Sequence, residues 1–160
     1  MPCPTFRLAS LPDAYAIALM SRELIEAGLS GWSWDPGRVA RAIRARDTVV
    51  LVTPAQNPLV GFAIMNFGDT SAHLSLLAVK PSHQRCGIGG RMMNWLEESA
   101  LVAGITTINL ELRTNNSAAR DFYRALGFME TACVPGYYQG VETALRMSRD
   151  IRRRTSDRIS

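Results

Sequence analysis

Lysine is nearly absent from this 160-residue chain, where Lys80 stands alone among 18 basic residues, and histidine and cysteine are scarce. Each shortage removes a class of function. Cys3, Cys86 and Cys133 are odd in number and far apart, so they form no disulfide framework. With only His73 and His83 beside them, no metal-ligand spacing arises, and no metal is expected. Free thiols suit a reducing compartment, which makes the cytoplasm the expected location. No apolar run approaches the roughly 18–20 residues of a bilayer span, so no membrane partner is expected. The segment Met1–Thr5 lacks a basic region followed by an apolar stretch, so no secretory signal is expected.

A broad basic surface is missing too. The net charge is +4, and the stretch from Arg149 to Ser160, with five arginines and two aspartates, carries three of those charges. A charge concentrated at one end reads as a solvated tail rather than a groove for nucleic acid, which is not expected as a partner. What is present is a globular composition, 47% hydrophobic and 20% charged. Length and composition predict one domain over residues 1–148, followed by a basic, flexible tail over 149–160.

Phe6-Arg7-Leu8 predicts a short strand. Helical spacing of Ala14, Ile17, Ala18, Leu24 and Ile25 predicts a helix from Asp13 to Ala27, stopped by Gly28. Asp35-Pro36 supplies a cap and a first-turn proline for a second helix, Gly37 to Arg46, after a loop bearing Trp32 and Trp34. Strands are expected at Thr48–Thr53, Leu59–Phe67 and Ala72–Val79, then a helix from Gly89 to Ala103. A strand Ile105–Arg113, a helix Ser117–Leu126 and a strand Phe128–Val134 follow. Pro135 to Gly140 reads as a loop before a last strand, Val141–Met147. Meandering strands followed by crossover helices imply an α/β (α+β) fold with a mixed sheet.

The stretch Val79-Lys-Pro-Ser-His-Gln-Arg-Cys-Gly-Ile-Gly-Gly-Arg-Met joins a strand to a helix through a glycine-rich turn. Such a turn aims unpaired backbone N–H groups at one point, with the helix dipole behind them, and so suits phosphate oxygens. It is no dinucleotide fingerprint, because Met92 stands where the third glycine belongs. It is no Walker loop either, since Gly90 is followed by Arg91-Met92 rather than by lysine and a hydroxyl residue. What remains is Gln84-Arg85-x-Gly87-x-Gly89.

A second segment narrows the reading: Leu110-Glu111-Leu112-Arg113-Thr114-Asn115-Asn116-Ser117, then Phe122-Tyr123-Arg124-Ala125-Leu126-Gly127-Phe128. Together with the glycine turn, Val79-x-Pro81 and Tyr137-Tyr138, it resembles the GNAT superfamily of acyl-CoA N-acyltransferases over roughly residues 72 to 147. Within that superfamily the likeness is greatest to enzymes that acetylate the N-terminal alanine of a ribosomal protein. The resemblance implies a central mixed sheet of about seven strands flanked by about four helices. It implies acetyl-CoA as donor and a primary amine as acceptor, by direct transfer without a covalent enzyme intermediate. The backbone of Leu77, Ala78 and Val79 would pair with the pantetheine arm. Gln84, Arg85, Cys86, Gly87, Ile88, Gly89, Gly90 and Arg91 would hold the pyrophosphate, and Asn116 would bind the arm by its side chain. Glu111 would be the base, and Tyr123 would bind the cofactor and protonate its sulfur.

Bland alternatives stand beside these roles. Thr107, Asn109, Glu111 and Arg113 share one strand face, where Glu111 could simply pair with an arginine. Tyr123 shares a helix with Ala119, Phe122 and Leu126 and could be packing, Asn116 could be a helix cap, and the tryptophans could be core. His73 ranks below Glu111 as a base, although it could line the acceptor side. The chain departs from the family at Ser75-Leu76-Leu77, where many members carry a glutamate. It departs again at Gly90, where a basic residue is common, and at Cys133–Gly136 and Val141–Thr143, which bear on the acceptor. The acceptor is therefore a protein N-terminus or a small-molecule amine. A small-molecule acyltransferase and a non-catalytic acyl-CoA-binding module are the rival functions, and the assembly is expected to be a monomer or a homodimer.

Overall fold

The computed structural model describes residues 4–54, 58–84, 86–140 and 142–153. Among them the chain forms β1 (Arg7–Leu8), α1 (Ala14–Leu24), α2 (Pro36–Arg44), β2 (Thr48–Thr53), β3 (Gly61–Phe67), β4 (Ser71–Val79) and α3 (Ile88–Val102). There follow β5 (Thr107–Arg113), α4 (Ser117–Ala125), β6 (Met129–Tyr138) and β7 (Glu142–Asp150). The strands make a seven-stranded sheet in the order β1-β2-β3-β4-β5-β7-β6. Its β4–β5 pairing is parallel, whereas β1–β2, β2–β3, β5–β7 and β6–β7 are antiparallel, so the sheet is mixed as expected. No helix among the described residues is long and apolar enough to cross a membrane.

The residues fall into two compact units. One comprises Met1–Asn66 and Ser75–Leu96; the other comprises Phe67–Leu74 and Glu97–Ser160. In the first unit, β2 alternates little because Val50, Leu51, Val52 and Thr53 are all buried, as a β-branched strand covered on both faces should be. Ile17, Ala18 and Met20 of α1 and Val39 of α2 join Val50, Val52, Phe62, Ile64, Leu76 and Ala78 in one apolar core. Asp35 caps α2 by accepting from the N–H of Arg38 at 2.8 Å, with Pro36 in the first turn.

The tryptophan loop belongs to that core. Trp32 and Trp34 pack against it, and the Trp32 indole N–H donates to the Ala18 carbonyl at 3.1 Å. The guanidinium of Arg38 sits 3.8 Å from the Trp34 ring centre, and that of Arg22 lies 5.0 Å from the Trp32 ring centre. Buried Glu26 holds the loop from below, accepting from the N–H of Ser33 at 2.6 Å and of Trp34 at 3.3 Å.

In the second unit, β5 shows clean alternation: Ile108, Leu110 and Leu112 are buried, while Thr107, Asn109, Glu111 and Arg113 lie on the other face. β6 and β7 run further than the sequence pattern suggests. Tyr137 and Tyr138 lie at the end of β6 rather than in a loop, because pairing with β7 overrides the turn signals of Pro135 and Gly136. A register shift between Val134 and Tyr138 absorbs the mismatch. β7 continues to Asp150, beyond the expected end at Met147.

That continuation seats two residues read as tail. Ile151 is fully buried, its N–H donating to the Thr106 carbonyl at 3.0 Å. Arg149 pairs with buried Glu97 at 3.1 Å and also donates to the Leu126 carbonyl. Removing the cation would take the ion pair away from a buried carboxylate. Arg149→Met should therefore lower unfolding free energy by about 3 kcal/mol in a urea titration at neutral pH.

Candidate active site

The glycine turn lies in the first unit. β4 ends at Val79, Pro81–His83 makes one 3-10 turn, and α3 begins at Ile88. The side-chain amide of Gln84 donates to the Val79 carbonyl at 2.9 Å, tying the turn to the strand end. Gly87 has φ +78°, a left-handed conformation that only glycine adopts at no steric cost. Its carbonyl receives the N–H of Arg91 at 3.1 Å, the first bond of the helix ladder. The N–H groups of Ile88, Gly89 and Gly90 precede that bond, and so belong to the orphan donors of a helix start.

A Cβ built on Gly87 or Gly90 meets nothing within 4 Å, so the turn is open at both positions. Arg91 and Cys86 are exposed at its rim, and the Cys86 thiol points at the Gln84 carbonyl at 3.8 Å. In the same unit Ala78 is buried, while Leu77 and Val79 are half-buried on the other face of β4. Arg85 lies outside the described residues.

The ionisable cluster lies in the second unit. The Glu111 side chain is only 5% exposed. Burial alone pushes its carboxyl pKa up, but three donors outweigh that effect and bring it down to about 2. His73 Nε2 lies 2.6 Å from Oε1, the Tyr137 hydroxyl donates to the same oxygen at 2.8 Å, and Arg146 Nε donates to Oε2 at 3.0 Å. The donors come from β4, β6 and β7. Arg146 is the direct cross-strand partner of Glu111, and His73 is partner to Asn109, two residues back on the same face. Alternation along β5 placed Glu111 on the right face, but it could not name partners that depend on three registers.

Tyr123 is buried on α4, edge-on to Phe122 at 5.0 Å and to Phe128 at 5.5 Å. Desolvation, reinforced by nearby Tyr138, pushes its phenol well above the ordinary range, so it stays protonated at any physiological pH. Tyr138 is raised in the same way, and its ring meets Tyr137 edge-on at 5.0 Å. Asn116 caps α4, its side-chain oxygen accepting from the N–H of Ala119 at 3.1 Å. His83 lies apart from this cluster, exposed and hydrogen-bonded to Ser82. No group of three or more potential metal ligands occurs among the described residues.

The pKa of Glu111 makes a prediction about acid stability. Its folded value lies below the ordinary 4.5, so its contribution is complete above about pH 5 and is lost as pH falls toward 2. Urea titrations from pH 7 to pH 3 should show a fall in stability, with on the order of 2–3 kcal/mol of it due to this group. Glu111→Gln should flatten that part of the curve.

Known proteins place this geometry. The family model described as Acetyltransferase (GNAT) family matches residues 15–128. The chain is 35% identical over 97 residues to the ribosomal protein bS18-alanine N-acetyltransferase of Salmonella typhimurium. That match covers 59% of this chain and 66% of the relative, so the chain spans just under two thirds of the relative's length. The crystal structure of the ribosomal-protein-S18-alanine N-acetyltransferase from Escherichia coli superposes with TM-score 0.75 at 28% identity, covering 93% of this chain and 94% of that one. The PaiA N-acetyltransferase of Thermoplasma acidophilum, solved in complex with coenzyme A, shares the fold with TM-score 0.76 at 22% identity, covering 93% and 99% of the two chains. With most of its length matched by the family model and its fold shared with these enzymes, the chain belongs to the GNAT acetyltransferase family.

Proposed function

We propose that the chain is an acetyl-CoA-dependent N-acetyltransferase acting on a primary amine, with protein N-terminal α-amino groups as the leading acceptor class. The observation that carries this reading is the open glycine turn at the start of α3, in a chain of this family. First-turn N–H groups and a space that any Cβ would occupy fit a diphosphate, and exposed Arg91 adds positive charge. Gln84, Arg85, Cys86, Gly87, Ile88, Gly89 and Gly90 would hold that group with Arg91. The backbone of Leu77, Ala78 and Val79 and the side chain of Asn116 would hold the pantetheine arm. Acetyl-CoA supplies an acetyl group already activated as a thioester.

The chain's own residues handle protons. An α-amino group has a pKa near 8 and lysine near 10.4, so an N-terminus is the easier amine to neutralise at physiological pH. Tyr123, kept neutral by burial, suits the role of proton donor to the departing sulfur. Glu111 suits the role of a fixed anion at the amine's side of the chemistry. The likeness to ribosomal-protein alanine acetyltransferases favours an N-terminal acceptor. Exposed, free Cys86 and Cys133 suit a reducing cytoplasm.

Two experiments test this function. Saturating acetyl-CoA should raise the melting temperature of the wild-type protein, and Gly90→Leu should abolish the shift while leaving the unliganded melting temperature within about 2 °C. No shift in the wild type refutes the donor assignment. Tyr123→Phe should lower turnover of a peptide with a free N-terminus by about 10²-fold at nearly unchanged acetyl-CoA affinity. An undiminished rate removes Tyr123 from the chemistry.

A further inference from the structure

Gly61, the first residue of β3, is buried and has no left-handed φ, so space rather than backbone dihedral decides what this position accepts. A Cβ built on it would stand 2.9 Å from the Ala78 carbonyl oxygen, inside van der Waals contact. The same Cβ would lie 3.4 Å from Val79 Cγ2. On its other side stands buried Thr53, the register partner of Gly61 in β2, with Cγ2 3.3 Å from the same point. Two strands therefore close on this glycine, and one of them is the end of β4.

Hydrogen bonds tie the same residues together. The Val60 N–H donates to the Thr53 carbonyl at 2.6 Å, and the Lys80 N–H donates to the Val60 carbonyl at 2.8 Å. The Val79 carbonyl in turn accepts from the Gln84 side-chain amide at 2.9 Å, and the turn runs on to left-handed Gly87 and α3. Every link from Thr53 to the turn lies within the first unit. A side chain at position 61 finds no relief in a rotamer change, because the atom in its way belongs to the backbone. With Thr53 behind β3, the displacement falls on Ala78 and Val79, and Val79 is what holds Gln84.

We propose that Gly61 is a positioning residue for the cofactor turn. By carrying no side chain it lets β3 set the place of Ala78 and Val79, and through the Gln84 amide the place of the turn. This rests on the acetyl-CoA reading of that turn and names the residue that seats it. Ala78 and Val79 also belong to the backbone segment assigned to the pantetheine arm, so a displacement there reaches both parts of the donor site. Coupling of this kind is reciprocal: donor binding steadies the contact between the start of β3 and the end of β4.

The test separates donor affinity from stability. Gly61→Ala should raise the dissociation constant for acetyl-CoA about tenfold in titration calorimetry. At saturating acetyl-CoA, its kcat and its KM for a free-N-terminal peptide should stay within about threefold of wild type. Val39→Ala, which removes core volume from α2, is the destabilised control. It should lower the melting temperature and leave acetyl-CoA affinity within about twofold of wild type. Should Gly61→Ala not fold, the wild type decides by hydrogen exchange. Saturating acetyl-CoA should slow exchange at the Val60 and Lys80 amides at least about tenfold more than at Val39, whose N–H donates to the Asp35 carbonyl outside this path.

A folded Gly61→Ala whose affinity falls no further than that of the Val39 control overturns the proposal. So does equal slowing of exchange at Val60, Lys80 and Val39. If the wild type does not bind acetyl-CoA, the acetyltransferase reading fails and this proposal with it. Wild-type binding with an unaffected Gly61 variant removes the proposal alone.

Discussion

One buried carboxylate organises the second unit. Glu111 sits on a strand whose other face is apolar, and its charge is tolerable there because β4, β6 and β7 each bring it a partner. An isolated carboxylate in that position would take up a proton, since burial by itself disfavours the anion. Held by an imidazole, a phenol and a guanidinium, it remains charged. The cost of desolvation and the strength of the three contacts set each other. Loss of any one donor weakens the case for an anion at that depth, and with it the fixed geometry of the others.

The first unit solves a different problem. It starts a helix from a glycine turn, where the first backbone N–H groups have no partner in the helix ladder. The left-handed Gly87 turns the chain into α3, and a Cβ at Gly87 or Gly90 would meet open space. Glu26 applies the same physics in the opposite sense. It satisfies the backbone N–H groups of Ser33 and Trp34 inside the protein, so that a loop bearing two tryptophans packs onto the core.

Much of the fold was legible because it is local. The β-branched run Thr48–Thr53 is β2 without change, and the helix read at Ser117–Leu126 is α4 within one residue. Family membership was legible as well, since the glycine turn and the Glu111-to-Phe128 segment are sequence signatures that the family match covers. The ends of β6 and β7 were not. Pro135 and Gly136 carry turn chemistry, and only the ladder with β7, bent by its register shift, keeps Tyr137 and Tyr138 in a strand. The fate of Arg149 was hidden for a related reason. Its sequence neighbours are charged and polar, but its partner Glu97 lies on α3, 52 residues away.

The sequence by itself determined the family, the element order, the phosphate-type turn and the face of β5 that carries Glu111. The family follows from the resemblance of two motifs to known acetyltransferases, and the rest from periodicity, glycine placement and residue chemistry over a few neighbours. Only the tertiary structure decided what surrounds that carboxylate. His73 is 38 residues from Glu111, Tyr137 is 26 and Arg146 is 35, and they meet through strand register alone. A shift of one residue in any of those ladders would turn the side chain to the opposite face. Register is fixed by the summed packing of whole strands, and no local pattern records it.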